Sequence, residues 1–323
     1  MVMGEAPVSA ERDERKTPRV LRRLWNPLLV KELRGRMRGA RAFVVLSIYL
    51  LMLSCFTSCI YYVYAASMSG PGSGSSMAYL GKVVFSSVII IEIFMVTFLT
   101  PAFTAGAISG EKERQTYELL RTTLLPAHKV VLGKFYSALT YMVLLILAAV
   151  PLESLAFVLG GVELGELVLA LVILLVAAVF FAAVGLLFSS LMRSTLAATI
   201  LSYVVALLGT IGLPILLLLF GTMLVSAVFA VSSTPSWVGQ VATIYATVLL
   251  SSLSPISTAV VTEVFLLEND ALFYFWQDIS YTSAPWHSIL VPSPWMIYVL
   301  VYLFFALLML LIAVLQVRRQ AKQ

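Results

Sequence analysis

Charge, cysteine and histidine are all scarce in this sequence. Charged residues make up 11% of the 323, against about a quarter in an ordinary soluble domain, which excludes a water-soluble globular chain. Only two cysteines are present, Cys55 and Cys59, four apart on one helix face. Two thiols alone cannot complete a metal site, so they read as buried structural thiols, with a functional thiol pair as the alternative. There is no His-Glu-x-x-His, no nucleophile elbow and no GxxxxGK[ST] phosphate loop. Gly133-Lys134 approaches the last of these, but His128 stands where its first glycine belongs. The chain is therefore not expected to be an enzyme, to carry catalytic residues or a metal, or to hydrolyse ATP alone. Lys and Arg are missing from the whole stretch between Ser194 and Val317.

What is abundant is apolar. Hydrophobic residues account for 61%, mean hydropathy is +1.00, and runs of the roughly 20 residues needed to cross a bilayer fall at 42–64, 83–107, 132–158, 167–191, 195–229 and 296–317. The expected fold is all-α, a polytopic membrane bundle of six transmembrane helices. No cleavable signal peptide is expected, because both signs of charge crowd the first 41 residues. Twenty of the 21 basic residues precede the first run, lie between Lys112 and Lys134, stand at Arg193 or follow the last run. With six spans those four groups share one side, which is the cytoplasmic side by the positive-inside rule. The expectation is a multi-pass protein of the cell membrane with both termini in the cytoplasm. Lys82 alone falls outside, as does His287, which is thereby separated from His128. The net charge of +5 is thus membrane topology, and nucleic acid is not an expected partner.

Residues 1–17 read as a disordered cytoplasmic tail. Residues 18–41 space Leu21, Leu24, Trp25, Leu28 and Leu33 among eight basic residues, either as an amphipathic interfacial helix or as a juxtamembrane basic segment that fixes orientation. The transmembrane domain spans 42–317, and 318–323 form a second cytoplasmic tail. Ser67 to Ser76 is a Gly/Ser linker. The fifth apolar run has 35 residues, about 52 Å of helix, so it must tilt, kink or break, with Gly209, Gly212, Pro214 and Gly221 as the points of weakness. After it, residues 230–295 form an outer cap holding either a re-entrant element or two further crossings. Re-entry is favoured, since a turn near Ser232 to Gln240 carries no basic residue.

Glu92 is the one acid in the middle of a span. Its charge is costly there unless it pairs, is neutralised or faces water, which leaves a translocation-path group and a carboxyl buried against a neighbouring helix as equal readings. Glu153 is expected at the interface near the outer end of the third span. Ala102, Gly106 and Gly110 recur every four residues and form a small strip suited to close helix packing.

The longest charged stretch between two apolar runs is SGEKERQTYELLRTTLLPAHKVVLGK, Ser109 to Lys134. From Glu111 to Leu124, Tyr117, Leu120 and Leu124 form one stripe and Arg114, Glu118 and Arg121 another, the spacing of an amphipathic helix. Glu111 and Glu113 in its first turn and Arg121 toward its last complement the helix dipole. Pro126 ends it or starts the next helix. A helix tied by short ends to two spans is a lever for a soluble partner, or else an interfacial helix with none.

These residues resemble the region after the second span of type-2 ATP-binding-cassette (ABC) transporter permeases. Gly110, Glu111, Lys112, Glu113, Thr116, Glu118, Leu119, Leu120, Thr122, Gly133 and Lys134 match that pattern, and the likeness extends to 26–39, 151–162 and 186–203. Gln115 departs from it where glycine is common, and the proline usual after the Thr pair is displaced to Pro126. The resemblance implies a permease subunit, an exporter of amphiphilic or hydrophobic compounds rather than an importer, in which Glu111, Lys112, Glu113, Arg114, Thr116, Tyr117, Glu118, Leu120 and Arg121 form a coupling helix. It also implies a cytoplasmic ABC ATPase subunit that binds ATP and Mg, and a second permease subunit, identical or related, completing a dimer in the bilayer. A membrane scaffold or sensor using the same helix without transport is the alternative.

Overall fold

A computed structural model describes residues 40–68, 77–115, 126–231, 237–269, 271–279 and 287–320. The expected tail 1–17, all but the end of the segment 18–41, the greater part of the Gly/Ser linker, residues 116–125 of the coupling stretch and the last three residues lie outside it.

The chain is a helical bundle with, among the described residues, six helices long and apolar enough to cross a membrane. These comprise α1 (Ala40–Met68), α2 (Met77–Thr104), continued after a four-residue turn by the short α3 (Ser109–Glu113), α4 (Ala127–Val158), α5 (Leu164–Leu191), α6 (Thr195–Leu207) with its continuation, and α10 (Pro294–Gln320). The ends carrying α3, Arg193 and Arg318 form the basic end; the opposite end carries Lys82, Glu163, Glu166 and Glu263.

Helix α5 is the centre. Ala177, Ala178, Phe181, Ala182, Ala183, Val184 and Leu186 are all buried, so the helix is covered all round over this stretch, as one hydrophobic all round should be. It contacts α2, α4, α6 and α10. In lipid, apolar surface alone does not hold helices together, and close packing of small residues does much of that work. Gly185 is the tightest case. A Cβ there would meet the Thr104 side chain and stand 3.3 Å from the Ala105 amide nitrogen, so α2 crosses α5 where α5 has no side chain. At the other end the turn between α4 and α5 passes through Gly160 and Gly161, with φ of 74° and 153°. A Cβ on Gly161 would run into the Ala78 backbone, so both conformation and space demand glycine.

The expected small strip faces elsewhere. Ala102 and Gly106 are exposed, nothing lies within 4 Å of a Cβ built on Gly106, and Gly110 makes only ordinary contact with the Thr195 methyl. Cys55 and Cys59 are likewise exposed on α1 rather than buried, because α1 meets the bundle through Tyr49 and Leu53 instead.

The long fifth run does not break. After α6, Leu208–Gly212 form a π-helical turn, and α7 (Leu213–Val231) continues from it. Pro214 has no N–H for the Thr210 carbonyl, and its ring would collide with that carbonyl in a regular helix. Widening the turn accommodates both. The neighbouring Thr210 hydroxyl donates to the Ala206 carbonyl at 2.6 Å.

Helices α8 (Trp237–Ser251) and α9 (Pro255–Asn269) have 15 residues each, about 22 Å, and neither has the length of a crossing. The turn joining them is buried at Ser252 and Ser254. Ser252 Oγ donates to the Pro294 carbonyl at 2.9 Å, and the Tyr302 hydroxyl donates to the Leu253 carbonyl at 2.9 Å. Both helices open toward the end that carries Lys82, since Tyr245 of α8 donates to Leu290 and Glu263 of α9 lies near Lys82. Within the all-α bundle that end also bears an antiparallel hairpin, β1 (Tyr274–Ile279) and β2 (His287–Pro292), pairing Tyr274 with Pro292 and Ile279 with His287. Its aromatic and β-branched residues suit a strand. Phe275 and Val291 point inward, while Tyr274, Trp276 and Leu290 are exposed, the period of two that a half-covered ribbon requires.

Candidate functional site

The segment from Ile108 to Gln115 is fastened through Ser189, Lys134 and Thr195, and again through the side chain of Lys112. First, the Ile108 and Ser109 amides donate to Ser189 Oγ at 2.8 and 3.0 Å, joining the start of α3 to the end of α5. Next, Glu111 Oε1 receives Lys134 Nζ at 2.7 Å. Lys134 is 3% exposed, so its ammonium is drawn from water and its partner carboxylate compensates it. That contact joins α3 to α4. Finally, Glu113 accepts both from the Thr195 amide at 2.8 Å and from the Thr195 hydroxyl at 2.9 Å. Thr195 opens α6, whose Ser194 N-cap accepts from the Ala197 amide. Glu113 satisfies a further orphan amide of that helix and places negative charge at its positive end.

Lys112 works the other way. Its Nζ donates to the Ser190 carbonyl at 2.5 Å and the Met192 carbonyl at 3.3 Å, groups left over where α5 ends. Gln320, in the last turn of α10, donates to the same Ser190 carbonyl at 3.4 Å. Thus Glu111, Lys112 and Glu113 of the expected coupling helix bind α4, the α5–α6 turn and α6 of their own bundle. Arg114 and Gln115 are exposed beyond them. Thr116, Tyr117, Glu118, Leu120 and Arg121 lie outside the described residues.

Gln115 accounts for one departure from the family pattern. It has φ of 58°, the left-handed conformation that closes a helix and that glycine takes without steric cost. Its amide donates to the Lys112 carbonyl at 3.2 Å. The position asks for glycine, and glutamine adopts the same backbone. Over this stretch and the spans around it, residues 27–317 match the family model for ABC-2 family transporter proteins. The chain belongs to the ABC-2 transporter family. No curated protein matches it. An ABC-2 membrane component associates with an ABC ATPase and with the membrane, and these fastenings lie between two of this one's spans.

Two further charged groups of this ABC-2 protein sit away from the basic end. Glu92 on α2 is 0% exposed and accepts from the Tyr49 hydroxyl at 2.8 Å. Glu153 on α4 is equally enclosed and is the carboxyl neighbour of Glu92. The interfacial position expected for Glu153 is thereby corrected. Helix α4 continues through Pro151 to Val158, and this turn of it packs inward against α2. In this conformation Glu92 is a buried group rather than the lining of an open path. Lys82 pairs with Glu166 at 3.0 Å and stands 3.9 Å from Glu263. Glu166 also closes a capping box with Glu163 at the start of α5. The sequence signal for this second cluster was the isolation of Lys82 among the basic residues.

Proposed function

We propose that this chain is the permease subunit of an ATP-driven exporter and that a separate cytoplasmic ATPase drives it through residues 111–124. The observation that carries the reading is the fastening of Glu111, Lys112 and Glu113 to three different helices. A push on the exposed Arg114 and Gln115 reaches α4 through Lys134, α6 through Thr195 and α5 through the Ser190 carbonyl. The contacts are charge-assisted and short, so they are stiffer than neutral ones. In this reading the basic end and both termini are cytoplasmic, ATP and Mg are held by the partner, and this chain supplies none of the hydrolytic chemistry. The α8–α9 pair re-enters the outer leaflet beneath a cap that includes the β-hairpin. A second permease subunit completes the translocation path, with Glu92 beside it.

The test is purification of the full chain from its own host with and without Arg114→Glu and Arg121→Glu. A polypeptide bearing GxxxxGK[ST] and ATP hydrolysis should accompany the wild type and be lost from the double variant. Absence of any such ATPase from the wild-type preparation sinks the reading. An ATPase that copurifies without ATP-dependent movement of any solute across vesicles supports the scaffold alternative instead.

A further inference from the structure

Between α2, α5 and α9 lies a cavity of about 200 Å³, remote from the fastening described above. Its walls are apolar, with Phe85, Ile89, Leu169, Ile173 and Val260 among them, yet Ser86, Glu166, Thr262 and Glu263 also line it. Two carboxyl groups, Glu166 and Glu263, face one ammonium, Lys82, and burial, with Glu166 beside it, pushes Glu263 up to about 7, the direction of a carboxyl short of positive partners. Lys82 and Glu166 are at hydrogen-bonding distance; Glu263 at 3.9 Å is not. Two buried oxygens of the lining, Thr262 Oγ1 and Glu263 Oε1, have no hydrogen-bond partner among the described residues. Thr262 is 1% exposed, so its hydroxyl belongs to the interior rather than to the surface. Native interiors satisfy almost all such groups.

What the site lacks is therefore one positive charge carrying N–H donors, next to apolar wall. We propose that this cavity binds the head of an amphiphilic primary amine, its ammonium donating to Glu263 Oε1 and Thr262 Oγ1 and its first methylenes lying against Ile89, Leu169 and Val260. The volume is below the roughly 300–1,000 Å³ of sites that enclose a drug-sized ligand, so a longer chain must extend through the open side. An anion would meet surplus negative charge, and a quaternary ammonium has no N–H to give. The inference does not depend on ATPase docking, and its test needs only this chain.

Radiolabelled octylammonium is equilibrated with the purified full chain in nanodiscs of zwitterionic lipid. Saturable binding of one per chain is expected, displaced by unlabelled octylammonium, at least tenfold less well by octyltrimethylammonium, and not by octyl sulfate. Glu263→Gln should weaken binding at least tenfold, and Ala259→Phe, which fills the cavity without touching the charges, should abolish it. Competition on the wild-type chain stands even where a variant does not fold. Equal displacement by octyl sulfate, equal displacement by the quaternary amine, unchanged binding in either folded variant, or no saturable binding each overturns the assignment.

Discussion

Lys134 Nζ lies 2.7 Å from Glu111 Oε1, across 23 residues of sequence, with the lysine almost fully enclosed and the glutamate about a quarter exposed. This pair closes the chain between the second and third spans at its root, whatever the intervening residues do.

Removing one member takes from the other its close, charge-assisted contact. Lys134→Met is expected to destabilise the protein by about 3 kcal/mol, the range for a broken buried pair. Replacing both with apolar residues of similar size should restore most of it. Thermal unfolding of the four proteins of the double-mutant cycle in one nonionic detergent gives the coupling; additive losses would show that the pair contributes nothing as a pair.

Gln115 holds a left-handed backbone that costs a non-glycine residue about 1 kcal/mol. Gln115→Gly should raise stability by up to that amount, and Gln115→Val, whose branched side chain tolerates the conformation least, should lower it. The sign of the two melting-temperature shifts decides the matter.

Glu113 caps a helix to which it does not belong. Glu113→Ala removes both acceptors from Thr195 and should cost about 1 kcal/mol. Faster hydrogen exchange confined to the first amides of α6, with the α4 amides unchanged, is the expected pattern.

Tyr49→Phe deletes the donor to Glu92 while keeping the ring. The stranded carboxyl oxygen should destabilise the protein by about 1–3 kcal/mol. Thermal unfolding of Tyr49→Phe in the Glu92→Leu background is the control. There the loss should vanish, since no acceptor remains to be stranded.

Gly185→Leu places a side chain where Thr104 and Ala105 already stand. Expression without a monodisperse folded fraction is expected, whereas Gly106→Leu, at an open position, should fold like the wild type. Analytical size exclusion separates these outcomes.

The six spans were legible because their length and apolarity are properties of the chain itself. So was the weakness near Pro214, since a missing N–H acts within one helix turn; the form it took, a π turn, depended on α6 continuing as one body. What the sequence could not reveal was depth. Glu153 sits five residues from the end of α4, which reads as interfacial until the helices are set against each other and Glu92 is found beside it. Likewise, Glu111 and Glu113 were read as favouring their own helix dipole, and spacing along one helix held no sign that their partners were Lys134 and Thr195. Gln115 was legible as an oddity, because glycine at a helix end has a backbone reason that a substitute must also meet.

The Ser190 carbonyl receives both Lys112 and Gln320, and α10, which ends at Gln320, begins at Pro294, whose carbonyl receives Ser252 from the buried turn between α8 and α9. Helix α10 is thus a strut of about 40 Å anchored to polar contacts at both tips. Between those tips Tyr298 donates to the Ile173 carbonyl of α5, so a single helix, bonded to the central one on its way, links the carbonyl that holds Lys112 with the buried turn between α8 and α9.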